Sequence, residues 1–278
     1  MAMKIALQNH TTKKMEFIPG MEVVWDGLQQ YAKKVVRPDT TVTQFWVEKG
    51  AIMTSPPFLK MLNDTETVKG ALKAEAQGYD AVVMGCFGDP GVYQARSIVD
   101  IPVIGPCESS TMLANLMGIR FAVVTIGAGW VTLVERNLRD YGLEGREIKQ
   151  TPVRYFDGVE KLTIEAFKGK PEALIEAFEK EALKSVADGA DVVINGCAWA
   201  GPALTMAGYK YVGSTGVPVL DCAYAALKMA ELMVDMRRTT GVIKSNGDHS
   251  PFQVPPKPLN IDSYKFVVDM TMKTFGIK

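Results

Sequence analysis

The sequence predicts an α/β fold with two pseudo-symmetric lobes, each a mostly parallel sheet flanked by helices. Short apolar runs of strand type alternate with amphipathic helical stretches along the chain, which is the pattern of parallel sheets covered by helices. In addition, the surroundings of Cys86 return around Cys197 at an offset of 111 residues, with Asp80 matched by Asp191. A repeat of this length indicates a duplicated half-domain rather than a solenoid.

In the first half, strands are predicted where β-branched and apolar residues cluster, and helices where apolar residues recur every three or four positions. The predicted strands are 4–8, 40–47, 81–85 and 101–104. The predicted helices are 20–36, a helix capped by Asn63 or Asp64 that runs to Gln77, 92–98 and 108–117, with a loop over 50–58. Gly78 and Gly118 are expected to end two of these helices.

The second half repeats this plan, because residues 120–125 resemble the opening strand. The predicted strands are 120–125, 151–157, 191–195 and 216–220, and the predicted helices are 130–141, 171–188 and one capped by Asp221 that runs to Arg238. A loop-like tail, 241–258, leads to a final helix over 261–275. We therefore expect a first lobe over 1–118, a second lobe over 119–221, and a C-terminal segment, 222–278, that packs back on the first lobe.

Composition excludes several classes of protein. Lysine plus arginine (31) equals aspartate plus glutamate (31), so no basic excess suggests a nucleic-acid partner. No window approaches the roughly 18 consecutive apolar residues of a membrane span, and the N-terminus is typical of a strand rather than a signal peptide. The four cysteines include no CxxC pair and there are only two histidines. We expect free thiols, no metal site and a cytoplasmic location.

The two matched cysteines are the main candidates for chemistry. Ligands of parallel α/β sheets bind beyond the carboxyl ends of the strands, so Cys86 and Cys197 are expected to converge with Asn9 and Thr125 on one cleft between the lobes. A thiolate and a thiol on opposite faces of a carbon next to a carbonyl are a base and an acid, and together they invert that carbon. Buried cysteine also packs as a small hydrophobe, and that interpretation stays open for each thiol.

Neighbouring residues support or limit this hypothesis. Gly88 and Gly91 allow close approach of the backbone to a ligand, whose developing negative charge backbone N–H groups can hold. Either catalysis or packing fits His10, which follows the first strand, and Trp199, which follows the second cysteine. Residues 125–130 lack the last glycine of GxGxxG and so do not support a dinucleotide site. Structural roles are the first interpretation of five further residues. Cys107 and Cys222 are expected to pack, Glu108 to be a first-turn helix charge, and Ser109 and Ser110 to be capping candidates.

Two motifs resemble a known family. Residues 85–91, Gly-Cys-Phe-Gly-Asp-Pro-Gly, resemble the first cysteine motif of the hydantoin racemase branch of the aspartate/glutamate racemase superfamily. Residues 195–198 are similar to its second motif, and residues 9–12 resemble the Asn-Pro-Asn-Thr that follows its first strand. The resemblance runs from about Lys4 to Met236. His10 stands where that branch has proline, and Trp199 is bulky where it has a small residue.

The resemblance implies a racemase or epimerase without a cofactor, with Cys86 and Cys197 as the acid/base pair at the lobe interface, in a homo-oligomer. Its substrate would be a small carbonyl or carboxylate compound such as a 5-substituted hydantoin or an amino acid. The residues implied to hold the substrate are Asn9, Phe87, Gly88, Thr125, Ile126, Ala198 and Trp199. Two alternatives stay open: a cysteine-dependent cis–trans isomerase or lyase of the same superfamily, and a two-lobed small-molecule binding protein without catalysis.

Overall fold

The computed structural model describes residues 2–15, 18–50, 55–245, 247 and 249–252. Within these residues, the named strands form two parallel sheets. The first sheet contains β1 (Met3–Gln8), β2 (Thr40–Phe45), β3 (Ala81–Met84) and β4 (Val103–Ile104), and the second contains β5 (Phe121–Ile126), β6 (Val153–Phe156), β7 (Val192–Asn195) and β8 (Val219–Asp221). The spatial orders, β2-β1-β3-β4 and β6-β5-β7-β8, are the same, which confirms the predicted pseudo-symmetry.

Helices connect these strands and cover the sheets. They are α1 (Met21–Val35), α2 (Pro57–Ala76), α3 (Val92–Arg96), α4 (Pro106–Met117), α5 (Ala128–Asp140), α6 (Val159–Phe167), α7 (Glu172–Ala187), α8 (Ala200–Met206) and α9 (Cys222–Thr240). Asp221 caps α9 as predicted, since its carboxylate accepts hydrogen bonds from the N–H groups of Ala223 and Tyr224. No helix in the described part of the chain combines the length and apolar character needed to cross a membrane.

Two helices cross between the halves of the sequence. Helix α9 follows the second sheet in the chain but packs on the first, where Ala226, Leu227 and Ala230 share one buried cluster with Ile5 of β1 and Val83 of β3. Helix α1 follows β1 but its first turns pack in the core of the second sheet, through Met21, Val24 and Trp25. The exact lobe boundaries remain predictions.

The carboxyl ends of the central strands meet in register, as the predicted cleft requires. Gln8 pairs with Met84 in the first sheet, and Val124 pairs with Asn195 in the second. The residue after β3, Gly85, then donates its N–H to the Gln8 carbonyl at 2.7 Å. In the second sheet, the N–H of Gly196 donates to the Val124 carbonyl at 2.9 Å. Each cysteine therefore leaves its sheet beside the end of that sheet's central strand.

The structure corrects several predicted helix starts. Helix α2 begins at Pro57 rather than at Asn63 or Asp64, and α4 begins at Pro106 rather than at Glu108. In both cases proline occupies the start of the helix, where its missing N–H leaves no hydrogen bond unmade. Ser109 and Ser110 are not caps, since their hydroxyls donate to the carbonyls of Gly105 and Pro106 one turn earlier.

Two short helices were not predicted, and the remaining bounds differ by a few residues. Helix α8 begins with Ala-Gly-Pro, a sequence that disfavours a helix interior but is tolerated in a first turn. Helix α6 lies in a stretch that the sequence left unassigned. Helix α3 ends at Arg96 rather than at 98, and α5 begins at Ala128 rather than at 130. The predicted helix over 261–275 lies outside the described residues.

Candidate active site

Cys86 is the second residue after β3 and opens a tightly held loop. The N–H of Gly88 donates to the Cys86 Sγ at 3.4 Å. Asp89 follows with a φ of 46°, in the left-handed region that non-glycine residues rarely adopt. Its carboxylate accepts hydrogen bonds at 2.9 Å from the N–H groups of both Cys107 and Glu108 in the first turn of α4. The loop is therefore fixed by its own aspartate to the start of a helix.

Cys197 occupies the matching position, the second residue after β7, and lies three residues before the start of α8. Its own N–H donates to Asn195 Oδ1 at 3.1 Å. The N–H groups of Ala200 and Trp199, at the start of α8, are hydrogen-bond partners of the Cys197 thiol. Each cysteine sulfur thus faces at least one backbone N–H group, and such groups favour the thiolate.

The two thiols are buried and interact with each other. The pKa of the Cys86 thiol is raised to about 12. Burial is the main cause, the Gly88 N–H opposes it, and Cys197 adds a smaller increase. Burial likewise raises the pKa of Cys197 to about 11, against the N–H groups of α8 that lower it. Both side chains are therefore neutral thiols at pH 7 in this arrangement, and a bound ligand would find one on each lobe.

His10 packs against two tryptophan rings close to these thiols. The His10 ring stacks on Trp199 with centroids 5.8 Å apart, and it meets the edge of Trp130 at 6.4 Å. Burial lowers the pKa of His10 to about 4, opposed by a hydrogen bond with Gly85, so the imidazole is neutral at pH 7. The structure thus places His10 and Trp199 together, one on each side of the lobe interface.

A small cavity lies against Cys86. His10 and Gly88 line it from the first lobe and Trp130 from α5. Lys60 and Asp64 of α2 line both this cavity and a much larger outer groove. The Lys60 Nζ lies 2.6 Å from Asp64 Oδ2, so this ion pair stands where the groove meets the cavity. The sequence did not identify Lys60, Asp64 or Trp130 as residues of the site, because no local pattern shows which helix faces the cleft.

The other predicted substrate residues lie around the same interface. The Asn9 amide donates to Gln44 Oε1 at 3.3 Å and to the Phe45 carbonyl at 3.1 Å, while its Oδ1 is buried without a partner among the described residues. The Thr125 hydroxyl donates to the Gly196 carbonyl at 3.0 Å, and so ties β5 to the second cysteine loop.

Three predicted substrate residues have side chains that pack in the core. Phe87 and Ala198 belong to one buried cluster, and the Ile126 side chain packs against another. Their roles in binding remain predictions.

Cys107, Cys222 and Glu108 have structural contacts, as the sequence predicted. All four cysteines are free thiols, as predicted, and Cys107 and Cys222 pack in one buried cluster. Glu108 pairs with Arg96 across α3 and α4. Among the residues that the structure describes, no cluster of three or more His, Cys, Asp and Glu side chains is placed to hold a metal ion.

Comparison with known proteins agrees with this architecture. Residues 22–230 match the family profile of Asp/Glu/hydantoin racemases. A hydantoin racemase of Pseudomonas sp. (strain NS671) is 32% identical over 222 residues, which cover 79% of this chain and 84% of the relative. The allantoin racemase from Klebsiella pneumoniae shares the fold with a TM-score of 0.75 at 22% identity, covering 95% of this chain and 99% of that chain. That from Pseudomonas fluorescens gives 0.72 at 26% identity, covering 92% and 99%.

The fold, the matched cysteine positions and these similarities define an enzyme of the isomerase class. The chain belongs to the Asp/Glu/hydantoin racemase family. The family resemblance of the two cysteine motifs is therefore confirmed.

Proposed function

We propose that this racemase inverts the carbon between a carbonyl and an amide nitrogen in a small cyclic ureide, such as a 5-substituted hydantoin or allantoin, without a cofactor. Cys86 and Cys197 are its acid/base pair. The observation that carries the proposal is that Cys86 and Cys197 occupy matched positions, each the second residue after a strand of its sheet, and that the two loops meet, since a Cβ on Gly196 would lie 3.2 Å from Phe87. One thiol first releases its proton to solvent. The resulting thiolate removes the proton from the carbon, and the opposite thiol delivers its own proton to the other face, which inverts the carbon.

The neutral lining of the site favours a neutral cyclic ureide over an amino acid. A zwitterionic amino acid requires charged partners for its ammonium and carboxylate groups. In the cavity beside Cys86, Lys60 and Asp64 are paired with each other, and His10 is neutral. Buried atoms without a hydrogen-bond partner among the described residues include Asn9 Oδ1, His10 Nδ1 and Trp199 Nε1. These acceptors and this donor suit the N–H and C=O groups of a ureide ring.

The names of the relatives support the same class of substrate. Similar sequences include a hydantoin racemase, and the structures that share the fold include two allantoin racemases. We extend that chemistry to this chain because residues 85–91 and 195–198 resemble the two cysteine motifs of hydantoin racemases. A homo-oligomer and a cytoplasmic location remain part of the proposal.

The test is proton exchange in heavy water, followed by NMR and optical rotation. Substrates are 5-benzylhydantoin, allantoin, aspartate and glutamate, with wild type, Cys86→Ser and Cys197→Ser. Cys222→Ser is the matched control, since Cys222 is a fully buried thiol that belongs to neither cysteine loop. We expect deuterium to enter the ureides with loss of optical activity, and each loop substitution alone to abolish that inversion.

Other outcomes would refute parts of this proposal. Activity on the amino acids alone would overturn the substrate class. Inversion that survives both loop substitutions would overturn the two-thiol mechanism. Ligand binding without exchange would favour the non-catalytic binding protein.

A further inference from the structure

Two hydrogen bonds from α5 cross the lobe interface and end on the Cys86 loop. The Tyr141 hydroxyl, directly after α5, donates to Asp89 Oδ2 at 2.8 Å. The Asn137 amide donates to the Gly88 carbonyl at 3.2 Å. The acceptors are the second and third residues after Cys86, whereas both donors follow the central strand of the other sheet. The loop of one lobe is thus held by a helix of the other.

We propose that Tyr141 and Asn137 are positioning residues for Cys86, which hold its thiol in register with Cys197 across the interface. This inference rests on the proposed function, because it assigns these residues to the same acid/base pair. Both side chains line the outer groove rather than the cavity beside Cys86, and they reach the Cys86 loop through these two hydrogen bonds.

The contacts give a direct path from α5 to the sulfur. Asn137 holds the carbonyl of Gly88, and the N–H of the same Gly88 donates to the Cys86 Sγ at 3.4 Å. A shift of this residue therefore changes both the position and the polar environment of the thiol. A Cβ on Gly88 would lie only 2.8 Å from Trp130, so the loop and α5 are packed without space between them.

Asp89 makes the loop dependent on both helices at once. One carboxylate accepts from the first turn of α4 and from Tyr141, while its backbone is held at a φ of 46°. A non-glycine residue in this region is strained and keeps its conformation only when its surroundings hold it. A Cβ on Gly105 would lie 2.3 Å from Asp89 Oδ2, so the carboxylate is also confined from below. Removing the Tyr141 hydroxyl frees one side of this arrangement.

The pseudo-symmetry provides a matched control in the same molecule. The Tyr31 hydroxyl of α1 donates to Asp221 Oδ2 at 2.6 Å, and Asp221 also caps a helix, α9. This aspartate ends β8 and is not part of the Cys197 loop. Tyr31→Phe and Tyr141→Phe thus each remove one tyrosine–aspartate hydrogen bond. Only the Tyr141 bond ends on a residue of the Cys86 loop, whereas Asp221 lies against Gly201 of α8, on the side of Cys197.

The expected effect follows from the proton balance of a two-thiol reaction. When the Cys197 thiolate removes the proton, a C–H bond breaks, an S–H bond forms and the electron pair remains on the enolate. Inversion then requires the proton of the Cys86 thiol, which becomes a thiolate. If Cys86 is displaced, Cys197 exchanges its proton with solvent and returns a deuteron to the same face. Exchange continues with retention, and inversion slows.

The experiment compares wild type, Tyr141→Phe, Tyr31→Phe and Asn137→Ala in heavy water, starting from each enantiomer of 5-benzylhydantoin. For one enantiomer, we expect Tyr141→Phe to raise the ratio of exchange to inversion by about tenfold or more, since small misplacements of catalytic groups are costly. Asn137→Ala should change it in the same direction, and Tyr31→Phe should keep the wild-type ratio. A merely structural role would lower both rates together and leave the ratio unchanged, which would overturn the proposal.

A second readout does not depend on the substrate. The rates at which iodoacetamide modifies Cys86 and Cys197 in the folded protein are compared by peptide mass spectrometry. We expect Tyr141→Phe to raise the Cys86 rate relative to Cys197, and Tyr31→Phe not to raise it. If wild type neither exchanges nor inverts any substrate, the proposed function fails, and the alkylation ratio still decides the positioning. If Tyr141→Phe does not fold, Asn137→Ala decides, and equal alkylation ratios in both folded proteins overturn the inference.

Discussion

His10 stacks on Trp199 across the lobe interface, with ring centroids 5.8 Å apart and planes inclined by 25°. The imidazole follows the central strand of the first sheet, and the indole follows the second cysteine. The imidazole in this stack is neutral at pH 7, because burial lowers the pKa of His10 to about 4. The stack therefore links the closed interface to the protonation state of one residue.

Acid is expected to weaken the protein through His10. Its pKa falls from 6.5 to about 4 on folding, so between these pH values the unfolded chain binds the proton and the folded protein does not. The free energy of unfolding is therefore unaffected by this group above pH 6.5 and decreases as the pH falls towards 4. Between pH 7 and pH 5 this loss is about 2 kcal/mol of unfolding free energy. Urea unfolding at both pH values measures it, with His10→Gln as the control that cannot titrate. An equal pH dependence in both proteins would refute this assignment.

Alkylation of the two loop cysteines should depend steeply on pH. Burial raises the pKa of Cys86 to about 12 and of Cys197 to about 11, so the thiolate fraction of each should rise about tenfold per pH unit from pH 7 to pH 10. Iodoacetamide labelling with mass spectrometry gives both rates. Cys107 and Cys222 are fully buried and provide the internal control. If all four cysteines react together, the protein has unfolded and the pH range must be reduced; fast labelling of Cys86 at pH 7 would contradict the raised pKa.

The packing of α9 on the first sheet depends on a buried carboxylate. Glu231 accepts hydrogen bonds at 2.8 Å from the Arg37 N–H and from the Thr40 hydroxyl, and only 4% of the residue is exposed. Glu231→Ala leaves these donors without a partner and should cost about 1–3 kcal/mol of unfolding free energy. Asp235→Ala removes the neighbouring surface ion pair with Arg37 and should cost less than about 1 kcal/mol. Chemical denaturation measures both, and equal losses would show that the buried carboxylate has no special role.

The architecture could be predicted from the sequence repeat, because the same local contacts recur in each lobe. Asp80 and Asp191 match in the sequence, and the structure shows the reason. Asp80 accepts the N–H of Lys4 at 2.8 Å, and Asp191 accepts that of Arg120 at 2.9 Å, so each holds the start of its sheet's central strand. The cysteines follow from the same register. The duplicated architecture and the placement of each cysteine at a strand end were thus predictable.

Contacts between the lobes were not predictable, because they depend on how two finished surfaces meet. Tyr141 and Asp89 belong to different halves, and neither shows a periodic or motif signal for the other. The same holds for Lys60, which reaches the cavity beside Cys86 only because α2 begins six residues earlier than its capping candidates suggest. A first-position proline can start a helix without a capping side chain, which hid that boundary.

The buried face of α7 should account for much of the stability of the second lobe. Leu174 and Leu183 lie on this one helix, but Leu174 is 0% exposed and packs in the main core, whereas Leu183 is 43% exposed. Leu174→Ala should cost about 2–5 kcal/mol, since it removes buried apolar area and leaves a cavity. Leu183→Ala makes the same chemical change at the surface and should cost less than about 1 kcal/mol. Urea denaturation of the two variants tests this difference. A similar loss in both would show that the exposed face of α7 is covered in solution, as an interface in a homo-oligomer would cover it.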